Sequence, residues 1–181
     1  MPFPEKIQRE PRLICWEKPP EGYFKLNTDG SAHGNPGPAS AGGVIRDHMG
    51  RWISGFACKI GYTSSLRAEL WGIREGLILA YQRNIHNLIV EVDSMVAAQL
   101  LGSGISSHHP FYTLILDCRE ILSRIPRTSI QHVYREANQC ADALTGIAHL
   151  QPLDFAVFDC CPPALLLYYE ADMMGTCFPR P

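Results

Sequence analysis

The chain has 181 residues, of which 46% are hydrophobic and 19% charged, and a formal net charge of −2. That length suffices for one domain with a sizeable core. A pI near 6.4 excludes a broad basic face that grips nucleic acid by bulk charge and leaves room only for a local basic groove.

In chain order, residues 1–22 carry five prolines and little periodicity, and read as a leader or linker. "YFKLNTD" (23–29) alternates as a strand, with Phe24, Leu26 and Thr28 on one face. "AGGVIRD" (41–47) and "RWISGFACKI" (51–60) form a hairpin around "HMG". From Ser64 the period changes to that of a helix over 64–84, with Leu66, Leu70, Ile73, Leu77 and Tyr81 on its apolar stripe. "NLIVEVD" (87–93) is a buried-looking strand, followed by a short helix to about Leu101. Pro110 suits the start of a helix over 110–124, "SIQHVY" (129–134) is a strand, and 136–150 is helical. Prolines return after Gln151. The order predicts an α/β fold: a five-stranded mixed sheet, three strands antiparallel and the later ones parallel, flanked by helices. The expected division is a leader (1–22), a domain (23–150) and a tail (151–181), with Asp154, Asp159 and Asp172 as surface or turn residues of the tail.

Four carboxylates attract attention. Asp29 and Asp93 each close a strand, where α/β sheets place ligands. Glu69 lies at the edge of the apolar stripe, beside Leu66 and Ile73, and must point into the seam between helix and sheet. A charge there needs a cation, a donor or a proton. Asp142 is a fourth candidate that periodicity does not force inward. Taken singly, Asp29-Gly30 reads as a turn, Asp93-Ser94 as a helix cap and Asp142 as a solvated face. If they meet, two carboxylates about 4 Å apart repel by ~4 kcal/mol at an effective dielectric of 20. Divalent cations with oxygen ligands are the natural compensation, and that combination suits two-metal phosphodiester hydrolysis. Spacing alone does not establish that they meet.

The seven cysteines lack CxxC spacing, so no zinc site is expected. Cys15, Cys58, Cys118 and Cys140 stand in apolar contexts and read as small hydrophobes of a reducing compartment. Neither a secretory nor a transit signal nor a membrane-length apolar run is visible, which sets the expectation of a soluble protein, nuclear or cytoplasmic, with no membrane partner.

"LNTDGSAHGNPGPASAGGVIRD", "SSLRAELWGIREGL", "LIVEVDS" and "YREANQCADAL", in that order, resemble a ribonuclease H domain. The likeness is to the reverse-transcriptase-associated branch, in the form of plant LINE-type retroelements, and runs from about Glu21 to Leu150. It implies a ribonuclease H-like fold and a Mg²⁺-dependent endonuclease that cuts the RNA strand of RNA/DNA hybrids, with two ions per site and Mn²⁺ as a substitute. It places the four catalytic, metal-holding acids on Asp29, Glu69, Asp93 and Asp142. Asp29 would bridge the metals, Asp142 would support the one that activates water, and Glu69 and Asp93 the other. It puts Gly30, Ser31 and Asn35 against the nucleic acid, and Arg135 where many relatives carry a mobile histidine. Some relatives also have a basic helix-loop handle. Here no Lys or Arg occurs in the 35 residues between Arg83 and Arg119. Grip on the hybrid is then expected to be weak and salt-sensitive unless a fused or partner domain, or basic side chains elsewhere, supply it. Arg46, Arg51, Lys59 and Arg67 are candidates for phosphate contact. Trp52, Trp71 and His132 read as structural, and His108 and His109 as capping or surface residues. The alternative function is a binding module derived from a retroelement, with little or no catalysis.

Overall fold

The structure is a computed structural model describing residues 10–181, so the first nine residues of the expected leader lie outside it. Among these residues eight strands and five α-helices follow in order: β1 (Arg12–Cys15), β2 (Phe24–Ala32), β3 (Gly37–Arg46), β4 (Trp52–Thr63), α1 (Ser65–Gln82), β5 (Asn87–Val92), α2 (Met95–Gly102), α3 (Tyr112–Arg124), β6 (Arg127–His132), α4 (Gln139–Leu150), β7 (Phe155–Phe158), α5 (Leu166–Met173) and β8 (Cys177–Arg180). Six strands form one mixed sheet in the order β6-β5-β2-β3-β4-β7. β2, β3 and β4 run antiparallel, β5 and β6 join parallel to β2, and β7 closes the far edge antiparallel to β4.

Strand alternation divides the sheet into two faces. Leu26, Ala41 and Ile45 turn toward α1, where they pack with Leu70, Ile73 and Leu77. Val44 turns the other way, toward Leu144 of α4 and Leu165. The Ser64 hydroxyl starts α1 by accepting the Arg67 backbone N–H at 3.3 Å. Asn84 follows its end with φ of 55°, in the left-handed region that asparagine tolerates.

Three expectations change. The sheet has six strands rather than five. β7 escapes a sequence reading because it is a four-residue edge strand whose Phe155 and Val157 stay about half exposed, so it shows no core-facing pattern. Asp29 does not close its strand. β2 continues to Ala32 because Gly30 and Ser31 still find ladder partners, Ala41 and Ser40. Cys15 is not a free thiol: β1 and β8 pair as a separate ribbon, Cys15 opposes Cys177, and the two form a disulfide. No helix among the described residues is long and apolar enough to cross a membrane.

Candidate active site

Parallel pairing of β2 with β5 sets Thr28 beside Val92. Asp29 and Asp93, each the next residue along, therefore emerge side by side at the same end of the sheet. Ser94 caps α2 by accepting the Ala97 N–H at 3.2 Å, which leaves the Asp93 carboxylate free of the capping role. Glu69 comes from the second turn of α1. It reaches Asp29 because the helix lies directly on β2: a side chain at Gly30 would collide with the Ala68–Glu69 peptide. On the opposite face, a side chain at Gly42, the ladder partner of Asp29, would meet Leu144 and Thr145 of α4. Glycine at these two positions lets both helices close on the strand that carries Asp29.

One oxygen from each of Asp29, Glu69 and Asp93 lies within 4.8 Å of the other two. The three line a cleft of about 610 Å³ together with Gly30, Ser31, His132, Tyr134, Arg135 and Arg180. Asp29 is only 4% exposed. Burial pushes its carboxyl from 3.8 up to about 7, and the charges of Asp93 and Asp142 push the same way. Burial raises Glu69 to about 10, aided by Asp29 and Asp93 and opposed by the Gly30 backbone N–H. Asp93 is raised as well, mainly by burial, with Arg135 opposing. Asp29 Oδ2 and Glu69 Oε2 are buried with no hydrogen-bond partner. An all-oxygen donor set with two orphaned carboxylate oxygens fits a hard divalent cation.

Asp142 stands outside this trio. It sits in the first turn of α4 with a side chain 53% exposed, and lines an adjoining hollow with Glu136, Gln139 and Tyr168. Arg135 links the two, its guanidinium 4.0 Å from Asp93 Oδ2 and 3.5 Å from Asp142 Oδ1, with the side chain 74% exposed. Gly30 and Ser31 line the cleft, and Ser31 Oγ makes a 2.9 Å hydrogen bond with His149 Nε2, whose ring stacks on His33. Asn35 is turned outward: its Oδ1 accepts the Ser65 N–H at 3.1 Å, tying the β2–β3 turn to the start of α1.

Other candidates sort by their surroundings. Arg46 is fully buried and cannot touch a phosphate. Its guanidinium donates to Asp172 at 2.6 Å and Asn27 at 2.9 Å and lies over the Trp16 ring at 3.6 Å. Asp172 is therefore a buried partner rather than a surface residue. Arg51 pairs with Asp47, Arg67 is exposed near Phe111, and Trp52 donates to the Phe158 carbonyl. His109 Nδ1 accepts the Phe111 N–H, and His132 borders the cleft edge-on to Tyr134.

A polar layer behind the carboxylates goes unmarked in the sequence reading. Asn27 Nδ2 donates to Glu91 and Asn138, while its Oδ1 accepts from Trp16 and Arg46. Glu91 also pairs with Lys25 at 3.1 Å and accepts from Gln131. Asn138 donates to the Thr28 carbonyl at 2.9 Å. The signal was the alternation itself, which sets Asn27 on the same face as Asp29 and makes it a buried amide in need of partners.

The pattern of the reverse transcriptase-like family matches residues 27–148. A protein of Arabidopsis thaliana named for ribonuclease H is 43% identical over 172 residues, covering 95% of this chain. This chain spans only 28% of that protein's length. Among solved structures, RNase H1 of the archaeon Halobacterium salinarum superposes with a TM-score of 0.66 at 28% identity, over 70% of this chain and 97% of that one. LC11-RNase H1, solved in complex with an RNA/DNA hybrid, gives 0.63 at 28% identity, over 69% of this chain and 95% of that one.

Proposed function

The chain belongs to the reverse transcriptase-like family and carries the ribonuclease H fold, and from that premise we propose that it is a metal-dependent endonuclease hydrolysing the RNA strand of RNA/DNA hybrids. The observation that carries this reading is the meeting of Asp29, Glu69 and Asp93 in one cleft, with two buried carboxylate oxygens left without partners.

Asp29, Glu69 and Asp93 would hold Mg²⁺, or Mn²⁺ in its place, with Asp142 completing a second position. Two ions bound there would supply an activated water and stabilise the leaving oxygen of the phosphodiester. The protein's own contribution is rigidity. Asp29 is fixed inside β2 by its ladder with β3, and its backbone carbonyl accepts from Thr145 at 3.3 Å. The buried amides of Asn27 and Asn138 hold the strand and the approach to α4 in register. Arg135 is the exposed member, and its guanidinium balances the charges of Asp93 and Asp142. Gly30 and Ser31 present the strand to an RNA backbone whose 2′-hydroxyls distinguish it from DNA. Asn35, held by the backbone N–H of Ser65, a residue that lines the cleft, would lie beside the same nucleic acid.

The test is incubation of the purified protein with end-labelled RNA in a hybrid, with Mg²⁺, Mn²⁺ or chelator, beside single-stranded RNA, double-stranded RNA and double-stranded DNA. Metal-dependent cutting confined to the hybrid's RNA, lost in Asp29→Asn, is the expected outcome. A folded protein that binds the hybrid at low salt and never cuts it would instead be a binding module.

A further inference from the structure

The 35 residues without Lys or Arg pose a question: what cation holds a polyanion over a cleft lined by carboxylates? The candidate lies at the other end of the chain. β8 places Arg180 on the wall of the cleft that holds Asp29, Glu69 and Asp93. In the β1–β8 ribbon Arg12 is registered directly opposite Arg180. Like charges facing each other across an antiparallel pair are destabilising unless something compensates them. Tyr134 accounts for part of it, its ring 4.2 Å from the Arg180 guanidinium and 5.5 Å from that of Arg12. Glu136 accounts for one charge, pairing with Arg180 through both oxygens at 3.1 and 3.3 Å. Arg12 has no carboxylate partner among the described residues. The ribbon therefore sets Arg180 on the cleft wall, with Arg12 against the same Tyr134 ring and one carboxylate, Glu136, paired with Arg180.

We infer that Arg180, seconded by Arg12, binds a backbone phosphate of the nucleic acid that crosses the active-site cleft, and so supplies the grip that the interval from 84 to 118 lacks. The inference rests on the proposed nucleic-acid reading. Glu136 engages Arg180 through a single guanidinium nitrogen, Nη1, so the other N–H groups of the guanidinium can donate to a phosphate. The pair is partly exposed, so exchanging carboxylate for phosphate costs little. Arg180 acts here as a binding residue and takes no part in bond breaking.

The experiment measures binding by the full chain of labelled RNA/DNA hybrid, double-stranded RNA and double-stranded DNA, in chelator across a range of KCl concentrations. Hydrolysis of the hybrid in Mg²⁺ is followed in parallel. Arg180→Gln is expected to weaken binding about three- to tenfold and to lower the slope of log K against log[KCl] by about one. KM should rise by the same factor while kcat holds. Arg180→Lys should restore most of the loss. Glu136→Gln should tighten binding by freeing the arginine, and that gain should vanish in the double variant with Arg180→Gln. If the pair only braces the ribbon, Glu136→Gln will weaken binding as Arg180→Gln does, and the inference falls. Hybrid cutting with no change on Arg180→Gln also defeats it and leaves the proposed activity standing. Loss of binding on Arg180→Gln in a protein that never cuts the hybrid supports the phosphate site and defeats the activity. A wild-type chain that binds none of the three duplexes at low salt overturns both.

Discussion

Asp29 is buried and Glu69 half-buried, and their surroundings favour the protonated form of both carboxyls when no cation is bound. The sign of the linkage follows from that. Asp29 titrates near 3.8 when exposed and near 7 in the fold, and Glu69 moves from 4.5 to about 10. Across those windows the folded state binds more protons, so stability is greatest at low pH and falls as pH rises through 4 toward 7 for Asp29, and onward toward 10 for Glu69. In chelator, the melting temperature should drop between about pH 5 and pH 8. Asp29→Asn removes one of the repelling charges, so it should flatten that slope and melt several degrees higher at pH 8. Mg²⁺ should recover most of the loss for the wild type and little for the variant. Melting curves at three pH values, with and without Mg²⁺, check this, and a wild-type slope of the opposite sign would refute the buried-acid account. Arg135 sets a second prediction. It touches Asp93 and Asp142 from an exposed position, so Arg135→Ala should cut hybrid hydrolysis by roughly tenfold, about 1.4 kcal/mol, without abolishing it. An unchanged kcat would remove Arg135 from the reaction.

At the scale of elements, the site depends on how closely two helices approach one strand. Gly42→Ala would drive a methyl group into Leu144 and Thr145, and α4 would have to shift, taking Asp142 with it. Such overpacking typically costs about 1–3 kcal/mol. Gly146 lies on the same helix, exposed and with nothing near its absent Cβ. Gly146→Ala should therefore stabilise by about 0.5–1 kcal/mol. Urea midpoints of the two variants should move in opposite directions, and only Gly42→Ala should lose hydrolysis. A neutral Gly42→Ala would refute the close packing. The long elements were legible because their patterns are long: α1 shows its stripe over five turns, and β2 and β5 run for nine and six residues. Glu69 was legible from its wheel position alone. That the acids meet was not legible from spacing, because it depends on glycines whose purpose appears only when α1 and α4 are in place. β1, β7 and β8 are four residues each and have no periodicity to read. Arg46 looked like a surface cation because its partner, Asp172, lies 126 residues away in sequence.

At the scale of the whole molecule, that distant pair bears on the extent of the folding unit. The sequence suggested a domain ending at 150 with a tail beyond it. The tail supplies β7 to the sheet edge, Leu165 to the packing on Val44 and Leu144, and Asp172 to Arg46. Arg46 and Asp172 have side chains 1% and 3% exposed. Removing one partner of such a pair leaves a buried charge uncompensated and costs about 3–5 kcal/mol, whereas replacing both with apolar residues of similar volume is often neutral. We therefore propose that residues 151–181 belong to the same cooperative unit as 23–150. Asp172→Asn should lower the urea midpoint by an amount equivalent to about 3–5 kcal/mol. Arg46→Met combined with Asp172→Leu should recover much of that, and recovery is what separates a charge effect from general disruption of α5. Ending the chain at residue 150 should be worse than any of these, because it also strips β4 of its edge partner and uncovers Val44 and Leu144. A 1–150 protein with the urea midpoint of the full chain would show that the tail is an appendage, and Arg46 would then have to find water or another carboxylate where the structure now places Asp172.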